Sequence, residues 1–288
     1  MELLHRALVR ADLALENEKI TGLKTEYGGS INDAFSFQLG ERRFFAKHNS
    51  RNDVKQFFSL EAKGLSLLEN SRSINVPLVQ CVYHEGRNGV LIMDYIESGS
   101  SHEDWELFGR NLAALHANSN NAFGLDHHNY IGSLEQKNTP SSDWTEFFAQ
   151  ERLEVQYQYA RNSGLLGKEW RSWLDQLYSK LNSLMPLENP ALLHGDLWSG
   201  NYKFNKEGVP YVFDPSVYYG HREVDIAMMH LFGGFDKRLF SAYQEVKPLE
   251  NGWEERIDLF NLYPLFVHVN LFGGSYVTRL KNVLNNYI

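Results

Sequence analysis

The sequence predicts an α+β protein of two lobes, and three observations carry that prediction. Short strand-like runs bounded by glycine fill most of residues 20–95, the polar stretch E-S-G-S-S at 97–101 interrupts them, and helical spacing dominates from Asp104 onward. Strands followed by helices form segregated layers, so the expected lobes are 1–95, mainly sheet, and 96–288, larger and mainly helical.

Each element follows from its own pattern. Leu3, Leu4, Ala7, Leu8 and Ala11 share one face of a helix expected over 2–16. Thr21–Tyr27, Ala34–Leu39 and Arg43–Lys47 read as three strands of an antiparallel meander, with Gly28 and Gly29 at its first turn. Phe57, Leu60, Gly64, Leu65 and Leu68 mark a helix over 53–69, and strands over 78–84 and 89–95 complete a five-stranded sheet. Helices are expected at about 103–118, 143–161 and 168–184, then two short strands near 201–205 and 209–213, then helices to the C-terminus.

Composition narrows the function. With 43% hydrophobic and 14% aromatic residues, 288 residues suffice for a packed core. A net charge of -8, a pI near 5.8 and no basic block argue against nucleic acid as a partner. No run of 18 apolar residues and no leader pattern occur, and Cys81 is the single cysteine, so a soluble cytoplasmic protein is expected. His127 and His128 lack Cys or Glu partners at ligand spacing, and no structural metal is expected there.

The chemistry concentrates in L-L-H-G-D-L-W-S-G-N, residues 192–201, followed by Asp214 in V-F-D-P. Phosphoryl transfer needs an oriented hydroxyl and divalent cations on the triphosphate. Asp196 suits the base, while the Asn201 amide oxygen and the Asp214 carboxylate are hard oxygen donors suited to Mg2+. The plain alternative is a polar turn in which Asp196 caps backbone amides. In the first lobe, Gly28, Gly29 and Ser30 form a turn that could cover phosphates, although two adjacent glycines also make ordinary hairpins. Lys47, ending F-F-A-K, and Glu61 in the next helix could form the ion pair that anchors phosphate. In V-L-I-M-D-Y-I-E, Met93 would sit behind adenine with Asp94, Tyr95 and Ile96 along its edge.

The loop with Trp198, the continuation D-P-S-V-Y-Y-G-H-R-E-V-D-I-A and then F-G-G-F resemble the fructosamine kinase family, also called ketosamine kinases. That family lies within the aminoglycoside phosphotransferase and choline kinase superfamily, and the resemblance implies the bilobal protein-kinase-like fold. It also implies ATP and Mg2+ as cofactors and phosphorylation of the 3-hydroxyl of a fructosamine or ribulosamine, a deglycation activity. By the same resemblance Asp196 is the base, Asn201 and Asp214 hold Mg2+, Lys47 with Glu61 anchors phosphate, and Asp225 pins the catalytic loop. Trp198, Tyr219, His221 and Arg222 are the acceptor-side candidates. Pro215 follows Asp214 where protein kinases have Phe-Gly, so no activation-loop switch is expected. An aminoglycoside- or choline-type phosphotransferase is the alternative, with the same machinery and a different acceptor pocket.

Overall fold

A computed structural model describes residues 1–26, 31–99 and 102–288 of the chain. Helix α1 (Glu2–Arg10) precedes strands β1 (Thr21–Glu26), β2 (Asp33–Leu39) and β3 (Arg42–Ser50), helix α2 (Val54–Ser71), and strands β4 (Val79–Glu85) and β5 (Asn88–Asp94). The five strands form one antiparallel sheet in the order β1-β2-β3-β5-β4. Because side chains alternate across a strand, β3 sends Phe44 and Ala46 to one face and Lys47 to the other. On the first face Phe44 and Ala46 pack with Phe37, Val90 and Ile92 against Leu4, Ala7 and Leu8 of α1. Truncating a phenyl ring this deep costs roughly 3–5 kcal/mol. α2 buries Val54, Phe57, Phe58, Leu65 and Leu68. Its start presses on β5 so closely that a Cβ on Gly89 would lie 2.5 Å from Val54. The expected helix over 2–16 stops at Arg10, because Asp12 takes a left-handed φ of 56° and Leu13 N–H returns to the Leu8 carbonyl.

The helical part begins with α3 (Trp105–Leu115), followed by the hairpin β6 (Asn129–Ile131) and β7 (Leu134–Gln136). Then come α4 (Trp144–Phe147), a π-helical stretch (Phe148–Glu154), α5 (Val155–Asn162) and α6 (Trp170–Leu184). Strand β8 (Ala191–Leu193), the hairpin β9 (Tyr202–Phe204) and β10 (Pro210–Val212), and β11 (Tyr218–Gly220) surround the motif. Helices α7 (Glu223–Phe232), α8 (Lys237–Val246), α9 (Trp253–Phe260), α10 (Leu262–Phe272) and α11 (Ser275–Leu284) close the chain. α3 and α8 meet backbone to backbone at Gly109, where a Cβ would lie 2.1 Å from the Leu239 carbonyl. No helix among the described residues is long and apolar enough to cross a membrane.

The chain divides into two compact units, Met1–Asp104 with Gly200–Pro215, and Trp105–Ser199 with Ser216–Ile288. This differs from a boundary at residue 95: the β9–β10 hairpin belongs with the sheet unit, which it joins through Asn75 and through Asp104 N–H to the Gly208 carbonyl.

Candidate active site

In the first unit, strand alternation points Lys47 away from the α1 face. It is 5% exposed, and its ammonium forms ion pairs with Glu61 of α2 and, at 2.5 Å, with Asp214. Burial works against the Lys47 charge, but Asp214 and Glu61 outweigh it and hold the pKa above the ordinary lysine value. One cation between two carboxylates leaves a net negative charge, and Asp214 is the partner that reaches solvent, its side chain 38% exposed against 12% for Glu61. Asp214 has a φ of 59°, a left-handed conformation that a non-glycine residue adopts where its surroundings impose it. The β9–β10 pairing sets Tyr202 opposite Val212, and one step on, Phe213 N–H donates to the Asn201 carbonyl. Asn201, 4% exposed, and Asp214 thus leave the same end of one hairpin, two hard oxygen donors beside an excess negative charge. The arrangement fits a divalent cation such as Mg2+.

The expected adenine edge is partly committed to the sheet. Met93 is buried, Asp94 N–H donates to the Leu78 carbonyl, and Tyr95 N–H donates to the Arg43 carbonyl. The Asp94 carboxylate accepts from Gln80, and the Arg43 guanidinium lies 3.7 Å above the centre of the Tyr95 ring. Asp94 and Tyr95 therefore cannot present their N–H groups to a base, whereas Ile96 lies just past the strand. Gly28, Gly29 and Ser30 lie outside the described residues; next to them, Asn49 donates to the Ile31 carbonyl and the Asn32 side chain.

In the second unit, the loop after β8 is held from behind by Asp225 of α7. Its carboxylate is fully buried and accepts from the backbone N–H of His194 (2.8 Å) and Gly195 (2.9 Å), with His116 Nε2 at 3.2 Å. Burial alone would raise its pKa, but His116, His194 and the Gly195 N–H hold it below the usual aspartate value. Asp196 follows directly and is half-buried, and its N–H donates to His194 Nδ1. Gly195 has a φ of 82°, and a Cβ there would lie 2.1 Å from the Ser216 carbonyl, so only glycine fits. That carbonyl accepts from Gln136 of β7, and Ser216 N–H donates to the His194 carbonyl. Gln136 in turn donates to Asn129 and accepts from Tyr263, and Arg152, fully buried in the π-helical stretch, donates to Asn138 beside them. His116, Asn129, Gln136, Asn138 and Arg152 support the loop from 44 to 80 residues away in sequence, and no local pattern marks them.

The acceptor-side candidates separate. Trp198, two residues after Asp196, is half-buried with its ring edge-on to Phe232 at 6.1 Å, and Tyr219 is half-buried on β11. His221 and Arg222 are a correction, since both are packed inside the unit. His221 is fully buried against Phe260 and Trp144, and burial pushes its pKa down to about 4. Arg222 pairs with Glu188 and donates to the carbonyls of Lys247 and Pro248. Glu188, His221 and Glu223 lie close enough together to suggest a metal site, but both carboxylates are already taken by arginines. Arg222 holds Glu188, Arg256 holds Glu223, and His221 Nδ1 accepts the Glu223 N–H, which leaves the proton of the neutral ring on Nε2.

Known proteins share both the sequence pattern and the fold of this chain. Residues 6–288 match the sequence model of the fructosamine kinase family. A probable ketoamine kinase of Enterococcus faecium is 37% identical over 285 residues, covering 97% of this chain and 98% of that protein. A chloroplastic protein-ribulosamine 3-kinase of Oryza sativa subsp. indica is 37% identical over 279 residues, covering 94% of this chain and 80% of that protein. The crystal structure of a candidate fructosamine-3-kinase from Haemophilus somnus superposes with a TM-score of 0.89 at 27% identity, over 100% of this chain and 97% of that one. The aminoglycoside phosphotransferase APH(4)-Ia, in ternary complex with AMP-PNP and hygromycin B, shares the fold at a TM-score of 0.64 and 15% identity, over 99% of this chain and 98% of that one.

Proposed function

The chain belongs to the fructosamine kinase family, and we propose that it transfers the γ-phosphoryl group of ATP to the 3-hydroxyl of a ketosamine, with Asp196 as the base. Kinase action on a ketosamine is the activity for which its relatives in Enterococcus and rice are named. The observation that carries the nucleotide half is the trio of Lys47, Glu61 and Asp214, a buried cation held between two carboxylates of which Asp214 is the more exposed.

Each residue then has a physical task. Lys47, kept charged by its partners, offers an ammonium to the α- and β-phosphates while Glu61 fixes its direction. Asn201 and Asp214 would hold Mg2+, which when bound neutralises charge on the triphosphate. The Ile96 backbone takes the adenine edge. Asp196 accepts a hydrogen bond from the acceptor hydroxyl and takes its proton as the oxygen bonds to phosphorus and ADP departs. Asp225 holds the turn that carries Asp196, so little reorganisation remains for the moment of transfer. Trp198 supplies a flat apolar face for the sugar, as aromatic rings do for carbohydrate C–H groups, and Tyr219 is a second candidate for contact with it.

The product, a ketosamine carrying phosphate on C3, is set up for elimination: the C2 carbonyl lets C1 lose a proton to give an enaminol, whose electrons break the C3–O bond and expel inorganic phosphate, and the imine left at C1 adds water and frees the amine. That sequence places the enzyme in deglycation, and we assign it to the cytoplasm. Phosphorus NMR of the product tests the regiochemistry. A phosphate coupled to the C3 proton, followed by release of inorganic phosphate and amine, is expected; phosphate on another carbon would refute the 3-hydroxyl assignment.

A further inference from the structure

Helices α7 and α10 end in the same four residues, L-F-G-G, at 231–234 and 271–274. In both, the first glycine takes a positive φ, 68° at Gly233 and 61° at Gly273, which ends the helix abruptly and leaves the phenylalanine before it on the last turn. The described phenylalanines exposed by more than a third are these two, Phe232 at 37% and Phe272 at 52%. These residues leave roughly half of their surface in water, which forgoes on the order of 1 kcal/mol each against full burial, and two of them in one aromatic row call for an explanation.

They are not scattered. His268 lies 5.1 Å from Phe232 and 5.5 Å from Phe272, and Tyr276 lies 4.9 Å from His268 and 6.1 Å from Phe272, ring centre to ring centre. The row starts at Trp198, two residues after Asp196, and runs entirely within the second unit. Burial holds the His268 pKa below its ordinary value, so at neutral pH the row carries no charge of its own.

We propose that Phe232, Phe272 and Tyr276 form a docking surface for the carrier of the ketosamine, reading apolar side chains of a polypeptide next to the glycated lysine. The proposal rests on the ketosamine kinase reading. A monosaccharide covers about one ring face, which Trp198 provides, so the rings beyond it are surplus to the sugar. A ketosamine is a sugar joined through nitrogen to something larger, and that carrier must continue past the sugar as this row continues past Trp198. Free lysine glycated on its side chain ends in charged amino and carboxylate groups and has nothing apolar to lay on Phe272, whereas a peptide with an aromatic or branched neighbour does, and buried aromatic anchors dominate such contacts.

Three acceptors separate the outcomes: a ketosamine on the lysine of a short peptide with Phe and Leu neighbours, the same peptide with Gly and Ser neighbours, and a ketosamine on Nα-acetyl-lysine. The apolar peptide should show kcat/KM about tenfold above the Gly/Ser peptide, in line with burying one or two rings. Phe272→Ser and Tyr276→Ser should each bring that ratio to within about twofold while the acetyl-lysine acceptor keeps its kcat. Melting curves establish that both variants are folded. Equal kcat/KM for the two peptides in the unmodified protein, or variants that lower all three acceptors by one factor, would overturn the docking surface. Turnover of none of the three would instead overturn the kinase reading beneath it.

Discussion

Asp196 and Lys47 do different work, and their substitutions should fail differently. Asp196→Asn keeps the shape of the loop and removes a proton acceptor, so kcat should fall by about 10^2–10^4 while ATP binding, followed by calorimetry, stays near its starting value. Unchanged turnover would remove Asp196 from the base role. Lys47→Met leaves Glu61 and Asp214 facing each other without the cation between them. Breaking a buried pair in this way costs about 3–5 kcal/mol, so a lower melting temperature should accompany a KM for ATP raised by at least about tenfold. A variant with normal stability and normal ATP affinity would contradict the anchor. At this scale the spacing of Asp196, Asn201 and Asp214 singled out a turn whose N–H groups Asp225 holds and a hairpin end that Asn201 and Asp214 share. It misled at His221 and Arg222, whose nearness to Asp214 in sequence says nothing about direction; strand β11 ends there and turns both side chains into the interior.

Elements explain why the loop holds its shape. β8 pairs with β11, setting Leu193 opposite Tyr218, and the crossing point is Gly195 against the Ser216 carbonyl. Gly195→Ala would place a methyl group 2.1 Å from that oxygen at a φ only glycine tolerates well, so both kcat and melting temperature should drop. Gln136→Leu is the subtler test. It removes the side chain that fixes the Ser216 carbonyl while conserving volume, and kcat should fall about tenfold with KM for ATP unchanged. A rise in KM for ATP without loss of kcat would refute the bracing role. The five-stranded sheet was legible because its strands of six to nine residues are long enough to display alternation. β6, β7, β8 and β11 have three residues each and were not expected, whereas β9 and β10, equally short, were. The helix expected over 143–161 is present as a span, but its π-helical middle, which aims Arg152 inward, leaves no trace in apolar spacing.

For the whole molecule, acid is the condition that should unfold it. Neutral His221 is buried with a folded pKa of about 4, below its ordinary 6.5, so as the pH drops the unfolded chain takes up a proton first. Stability is therefore intact above 6.5 and is lost progressively toward 4, by up to about 3 kcal/mol from this ring. His221→Phe keeps the packing against Phe260 and Trp144, and should flatten melting temperature against pH across that window. It leaves the acid loss from Asp225 and Glu188, whose lowered pKa values shift their contribution to more acidic solution. An unchanged slope between pH 6.5 and 4 would contradict the assignment to His221.

Lobe order, sheet and motif were readable because local pattern sets them, whereas the return of Gly200–Pro215 to the sheet unit depends on contacts with Asn75 and Asp104 that no local pattern reports. The measurement that bears most directly on the whole account is ADP formation from ATP, with and without Mg2+, across fructosyl-lysine, ribulosyl-lysine, an aminoglycoside, choline and no acceptor. Mg2+-dependent turnover with a ketosamine, abolished in Asp196→Asn, is the predicted result. Turnover with the aminoglycoside or choline alone, or ADP release indifferent to any acceptor, would contradict it.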